Sequence, residues 1–243
     1  MNKELRLNAA LRYSENATKL LQTIIETQAD GLERAARMVA DVVERDGIVY
    51  ALGSGHSLLV AAEFYYRAGG LVCFDVIHDK TFGRAERLPG YAKVLLGSYP
   101  ITSNDLLVLI SNSGRNALPV EMAYEARKLN ISTIGITSLT HSRSLPARNN
   151  LGLRLFEICD LVIDNCGVAG DSSIELDAGR NIRVGPTSTL AGIFIASSIV
   201  SLASEYILAT GKLPPVFASA NVDGGDDGNA KLLEFMRQRI RGL

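Results

Sequence analysis

Five short apolar runs, at residues 48–52, 71–76, 105–110, 132–136 and 161–164, constrain the fold of this chain more than any other feature. Most are rich in Val and Ile, and they are bounded by Gly, Asn or Asp. A strand with one wet face alternates polar with apolar residues, whereas a near-continuously apolar strand is covered on both faces. Helical patterns at 57–67 and 117–129 lie between such runs, and a third follows at 188–209. Buried strands separated by amphipathic helices predict an α/β fold with a parallel sheet between two helical layers.

Ahead of the first strand, residues 3–45 predict two helices. Leu20, Ile24 and Thr27 mark the first, Leu32, Ala35, Ala36, Val39, Val42 and Val43 the second, and Asp30-Gly31 the break between them. Two segments fit no regular pattern: the polar and aromatic 78–92, and the Gly/Asp-rich 219–229 that precedes a short basic helix over 229–241. The expected organisation is a helical extension (1–34), an α/β domain (35–215), and a C-terminal loop and helix (216–243).

With 243 residues, 47% hydrophobic and 21% charged, the chain has enough apolar content for one sizeable core. A formal net charge of -1 argues against a broad nucleic-acid-binding face. Three cysteines, each in an apolar segment and none in C-x-x-C spacing, predict reduced buried thiols and no structural zinc. The longest apolar-leaning run, 190–203, is broken by Gly192, Ser197, Ser198 and Ser201, which argues against a membrane span. A cytoplasmic protein with neither nucleic-acid nor membrane partner is expected.

Two loops that follow buried strands are unusually polar. The first is Gly53-Ser54-Gly55-His56-Ser57, and the second is Ser111-Asn112-Ser113-Gly114-Arg115-Asn116. Ligands of parallel sheets bind beyond the strands' carboxyl ends, where such loops enter helices. Glycines allow close backbone approach, while hydroxyls and amides add donors to the free N–H groups at a helix's positive end. That assembly suits a phosphate. Ser, Asn and Gly are also ordinary caps and turn formers, so a structural role for either loop stands beside this reading. The first loop lacks the third glycine of a dinucleotide fingerprint and the Gly-Lys-Ser/Thr of a P-loop.

In these two loops the chain resembles the sugar isomerase (SIS) family of phosphosugar-binding domains, whose motifs are G-x-G-x-S and S-x-S-G-x-T/S/N. The resemblance extends over roughly residues 35–210 in organisation. It includes Thr187-Ser188-Thr189 after Pro186, similar to the P-T-T-S-T stretch of arabinose-5-phosphate isomerases. It implies a three-layer αβα sandwich around a five-stranded parallel sheet, flavodoxin-like, in a homodimer or larger homo-oligomer. It also implies that Ser57, Ser111, Ser113 and Asn116 are phosphate ligands, although Asn116 departs from the commoner Thr or Ser. Gly53, Ser54, Gly55, His56, Asn112, Gly114 and Thr187 to Thr189 join them as the binding set.

Catalysis requires an acid or base beside the sugar carbonyl. Glu63 lies six residues beyond Ser57, where phosphoheptose isomerases, which this element resembles, hold a functional polar residue. Six helical residues turn Glu63 roughly 120° away from Ser57. An i, i+4 ion pair with Arg67 is the plainer reading of the same residue. Glu86 and His78, in the 78–92 segment, are the other acid/base candidates. His141 reads as a neighbour of a helix cap with no chemistry. Asn221 is a candidate sugar-hydroxyl ligand or a cap. Three histidines without ligand spacing predict no metal, and no cofactor is expected. The resemblance implies a sugar-phosphate isomerase or lyase, of the phosphoheptose isomerase or N-acetylmuramic acid 6-phosphate etherase type, with a non-catalytic phosphosugar sensor as the alternative.

Overall fold

The computed structural model describes residues 8–236 and Ile240. Five strands form a wholly parallel sheet: β1 (Val49–Gly53), β2 (Phe74–Val76), β3 (Leu106–Ile110), β4 (Ser132–Thr137) and β5 (Leu161–Asp164). Their order is β2-β1-β3-β4-β5, and every residue of β1 and β3 is buried. Complete burial is why these strands carry no polar alternation. The chain steps one way from β1 to β2 and the other way through β3, β4 and β5. The switch point of the topology therefore lies between β1 and β3, where ligands of open parallel sheets bind. Gly53 pairs with Ile110 across that boundary, so the two polar loops leave neighbouring strands at the same level.

Because right-handed crossovers in opposite directions put their helices on opposite faces, the sheet is covered on both sides. Helix α1 (Asn8–Glu44) packs with α6 (Ser188–Ala209), which also contacts α2 (Ser57–Glu63). Helix α3 (Tyr91–Leu96) packs with α4 (Ala117–Lys128). The remaining helices are α5 (Leu139–Arg143) and α7 (Gly225–Met236).

The N-terminal segment is one helix of 37 residues where the sequence predicts two. Gly31 continues the helix where α1 packs on β5. A side chain there would meet Ile163 Cγ1 at 3.7 Å and the Val162 carbonyl at 3.9 Å. Glycine in a helix costs about 1 kcal/mol relative to alanine, and close packing on the sheet offsets it. The apolar stripe of α1 from Ile24 to Val42 is buried in the chain's own core, against α6 and β5. Residues 3–7 of the expected first helix lie outside the described residues, as do 237–239 and 241 of the expected last one.

The near end of α1 rests on an antiparallel hairpin, β6 (Ser172–Asp177) and β7 (Ile182–Pro186), absent from the expected pattern. Tyr13 donates to the Pro186 carbonyl at 2.8 Å, and Asn16 Nδ2 to the Ser173 carbonyl at 3.0 Å. Helix α6 is long and apolar enough to cross a membrane by length and composition. Within the fold, Ala191, Ile195, Ala196, Ile199, Val200, Ala203 and Ile207 are buried in the core. All three cysteines are free, and burial pushes the thiols of Cys73 and Cys159 up to about 12.

Candidate functional site

Elbow one, Gly53 to Ser57, is shaped by backbone crowding. A side chain on Gly53 would collide with the Ser57 carbonyl, so glycine alone lets α2 begin directly over the strand end. The turn is then tied to the 78–92 segment through Asp79, which is 2% exposed. Ser54 Oγ donates to Asp79 Oδ2 at 3.0 Å, and the Gly83 N–H to the same oxygen at 2.8 Å. Asp79 Oδ1 accepts from the Thr81 hydroxyl (2.6 Å), the Thr81 N–H (3.0 Å) and the Tyr91 hydroxyl (3.1 Å). Burial by itself would raise this carboxyl's pKa. The hydrogen bonds from Thr81, Gly83 and Ser54 outweigh it and hold the group below the usual range. Asp79 is a structural anion that fastens the insert to the elbow.

The fastened insert delivers Glu86 to the second elbow. The Glu86 carbonyl accepts the Leu118 N–H at 2.9 Å, and Glu86 Oε1 accepts Asn116 Nδ2 at 2.9 Å. Asn116 is the N-cap residue of α4, yet its side chain does not cap the helix. The Glu86 carbonyl takes the Leu118 N–H in its place, and Pro119 offers no N–H, so the Ser111 and Ser113 hydroxyls beside this entrance are the donors that face the cleft.

Elbow two is anchored from behind. The Asn112 carbonyl accepts the Ser138 N–H (3.1 Å) and the Thr137 hydroxyl (3.2 Å), while Asn112 Oδ1 accepts Asn165 Nδ2 (3.0 Å). Gly114 has φ +58, and a side chain there would sit 2.9 Å from Thr137 Oγ1 and 3.0 Å from Ser142 Oγ. Gly114→Ala should therefore cost about 1–3 kcal/mol through left-handed strain and crowding. Chemical denaturation measures it, and an unchanged midpoint would refute the requirement for glycine.

Between the elbows lies a cleft of about 210 Å³. Its polar wall is Ser54, Ser57, Glu86, Ser111, Asn112, Ser113, Asn116 and His141, and its apolar wall is Leu52, Ile110, Leu118 and Pro119. Among the described residues, three buried side-chain atoms have no hydrogen-bond partner: Arg115 Nε, Asn116 Oδ1 and Ser142 Oγ. Arg115 and Asn116 belong to elbow two, and Ser142 lies against its Gly114. Unsatisfied buried groups are costly and concentrate where a ligand completes the network.

The other expected site residues lie elsewhere. Glu63 pairs with Arg67 and lines a separate cleft of about 140 Å³ with Ala196, Ser197 and Val200 of α6. The turn of about 1.7 residue circuits between Ser57 and Glu63 sends the carboxylate toward α6, away from the elbows. His78 and His56 are exposed and outside the cleft wall. At Thr187, Ser188 and Thr189 the entrance of α6 is already occupied. Asp171 Oδ1 accepts the Thr187 N–H (3.0 Å) and Ser188 N–H (2.8 Å), and Asp171 Oδ2 accepts the Ser188 hydroxyl (2.6 Å). Asn221 is exposed, its N–H bonded to Ser219 Oγ at 3.2 Å. Sequence reasoning gave no separate role to Asp79 and read His141 as a cap neighbour, whereas the structure puts His141 on the cleft wall. The spacing Asp79-x-Thr81-x-Gly83 was the available signal for the first, and the position of His141 just beyond a strand end was the signal for the second. Among the described residues no group of three His, Cys, Asp or Glu side chains is arranged to hold a metal.

A doubly wound parallel sheet with a polar, helix-capped cleft at its switch point defines a class of small-anion-binding α/β proteins. The profile of the SIS domain matches residues 12–138. A UPF0309 protein of Streptomyces coelicolor is 36% identical over 240 residues, covering 94% of this chain and 95% of its own. The chain belongs to the SIS domain family. In fold it is similar to a phosphoheptose isomerase from Francisella tularensis, with a TM-score of 0.58 and 14% identity over 84% of this chain and all of the other. It is likewise similar to the Vibrio vulnificus NanR protein complexed with ManNAc-6P, with a TM-score of 0.55 and 14% identity over 98% of this chain and 72% of the other.

Proposed function

We propose that the chain is an enzyme that binds a sugar phosphate between its two elbows and moves a proton next to the sugar carbonyl, as an isomerase or a lyase. The observation that carries this reading is the convergence of the Ser111 and Ser113 hydroxyls, the Asn116 amide and the Glu86 carboxylate on one cleft. The hydroxyls suit the phosphate, and the unpartnered Asn116 Oδ1 suits a sugar hydroxyl. Glu86 takes the role of base, since Glu63 faces α6. Both reactions begin with the same carbanion-like intermediate, so one base serves either. Sensing without chemistry is the second reading. It draws on the Glu86–Asn116 hydrogen bond, which engages the carboxylate, and on the likeness in fold to the NanR protein complexed with ManNAc-6P.

Incubation with aldose, ketose and N-acylated amino-sugar 6-phosphates, followed by NMR, tests the enzymatic reading. Binding without conversion of any of them would favour the sensor. Sugar phosphates should raise the melting temperature while the unphosphorylated sugars leave it unmoved, and equal shifts would remove the phosphate cradle altogether. Ser113→Ala should weaken binding by about ten- to a hundredfold, the loss of one charge-assisted hydrogen bond. A homodimer is part of the proposal. The groove between α1 and α6, a mostly apolar hollow of about 620 Å³ lined by Ile25, Leu32, Phe194 and Leu202, is the face offered to a second copy. Sedimentation as a monomer at micromolar concentration would exclude it.

A further inference from the structure

His141 is placed by two separate contacts at the wall that neither SIS-like motif supplies. Strand β4 is the neighbour of β3 in the sheet, so the loop leaving β4 stands directly beside elbow two. That loop opens with Ser138, whose hydroxyl donates to the Gly167 carbonyl at 2.6 Å and accepts the His141 N–H at 3.1 Å. The backbone under His141 is thereby fixed. The ring is fixed too, because Nδ1 accepts the Gly170 N–H at 3.3 Å. A neutral imidazole whose Nδ1 accepts carries its proton on Nε2. Nε2–H is then the ring's remaining polar group. His141 and Glu86 are the only titratable residues on the cleft wall, and the next residue, Ser142, has a fully buried hydroxyl with no partner beside Gly114.

We propose that His141 is a catalytic residue, presenting Nε2–H to the carbonyl oxygen of the bound sugar phosphate while Glu86 handles the carbon-bound proton. This role rests on the isomerase form of the reading above. The Glu86 carboxylate takes the proton from the carbon beside the carbonyl, and the C–H electron pair becomes the C=C bond of an enediolate. The carbonyl π pair moves onto oxygen, where the Nε2–H hydrogen bond strengthens as charge accumulates. Glu86 returns its proton to the former carbonyl carbon. Nε2 passes the hydroxyl proton from the second oxygen to the first, so the ring ends as it began. No oxidant, reductant or metal enters the balance.

The test follows glucose 6-phosphate, fructose 6-phosphate and N-acetylglucosamine 6-phosphate by NMR in deuterated water, with the full chain and its His141→Gln and His141→Ala variants. Thermal shift by the same three compounds is measured in parallel. The expected result is turnover and deuterium incorporation reduced about 10²–10³-fold, the effect of losing one oxyanion donor, with the thermal shift retained in both variants. His141→Gln keeps an acceptor for the Gly170 N–H, so it separates loss of the ring chemistry from loss of the loop contact. Turnover within threefold of the unsubstituted protein in both variants overturns the role and leaves the isomerase reading standing. Loss of thermal shift together with turnover overturns it in favour of a binding or structural role. An unsubstituted protein that is stabilised by these compounds yet neither converts nor deuterates them overturns the isomerase reading and this role with it.

Discussion

Asp79→Ala should both destabilise the fold and abolish sugar-phosphate binding. Five donors converge on this carboxylate, from Ser54, Thr81, Gly83 and Tyr91. A stranded buried donor costs about 1–3 kcal/mol, and the hydroxyls can turn to water more readily than the two N–H groups. The expected loss is about 2–5 kcal/mol in chemical denaturation. Binding fails as well because Ser54 and Gly83 hold elbow one in place. The pH dependence follows from the depressed pKa. The carboxylate's contribution is complete above the ordinary aspartate pKa of about 4, and is lost as pH falls through the lower folded value. The stability gap between the unsubstituted protein and Asp79→Asn should therefore be widest near neutral pH and narrow below about pH 4. A gap that stays constant down to strong acid, or a fully stable Asp79→Ala that still binds, would show that the insert holds itself in place.

Glu86→Gln should lower turnover by about 10²–10⁴-fold and leave sugar-phosphate binding within a few-fold, because the amide keeps the side chain's shape but cannot accept a proton from carbon. Its Oε1 can still accept from Asn116, so the entrance of α4 should stay in register. Melting curves with and without ligand check that the variant is folded and loaded. Unimpaired turnover would move the base away from Glu86, and the companion Glu63→Gln variant would show whether the α6-facing carboxylate takes its place.

Much of the sheet was legible because burial on both faces leaves its mark on every residue of a strand. β1 and β3 could hardly be anything else, and the glycines and hydroxyls at their ends stand out against so apolar a background. The single long α1 was not legible. Asp30-Gly31 is a sound stop signal in isolation, and what overrides it is the closeness of β5, a contact about 130 residues away in the chain. The hairpin of β6 and β7 was missed for a related reason. Its only fully buried residue is Ile174, so alternation is weak, and it is held from outside by Tyr13 and Asn16. In the site, both elbows were legible, whereas Asp79 and His141 were not. An Asp–Thr–Gly turn and a Ser-capped histidine look the same whether they close a loop or build a cleft. Only the sheet order, which seats the β4 loop beside elbow two, tells the two apart. The place of Glu63, beside Arg67 and against α6, could not be read from its spacing to Ser57 because the partner of that helix face is set by the tertiary fold.

The carboxylate of Asp171 at the entrance of α6 has a consequence for occupancy. It acts as a tethered competitor. A group joined to its site even by a short flexible linker has an effective concentration on the order of millimolar, and one held by three hydrogen bonds at 2.6, 2.8 and 3.0 Å is more persistent still. Free phosphate esters at cellular levels therefore meet an entrance that is already saturated by its own chain. Of the three hydroxyl-rich loops, this one is closed by a carboxylate, whereas the pair at the switch point lines the cleft with its hydroxyls. On the proposed function, this internal competition leaves one phosphate site per chain, the cleft at the switch point.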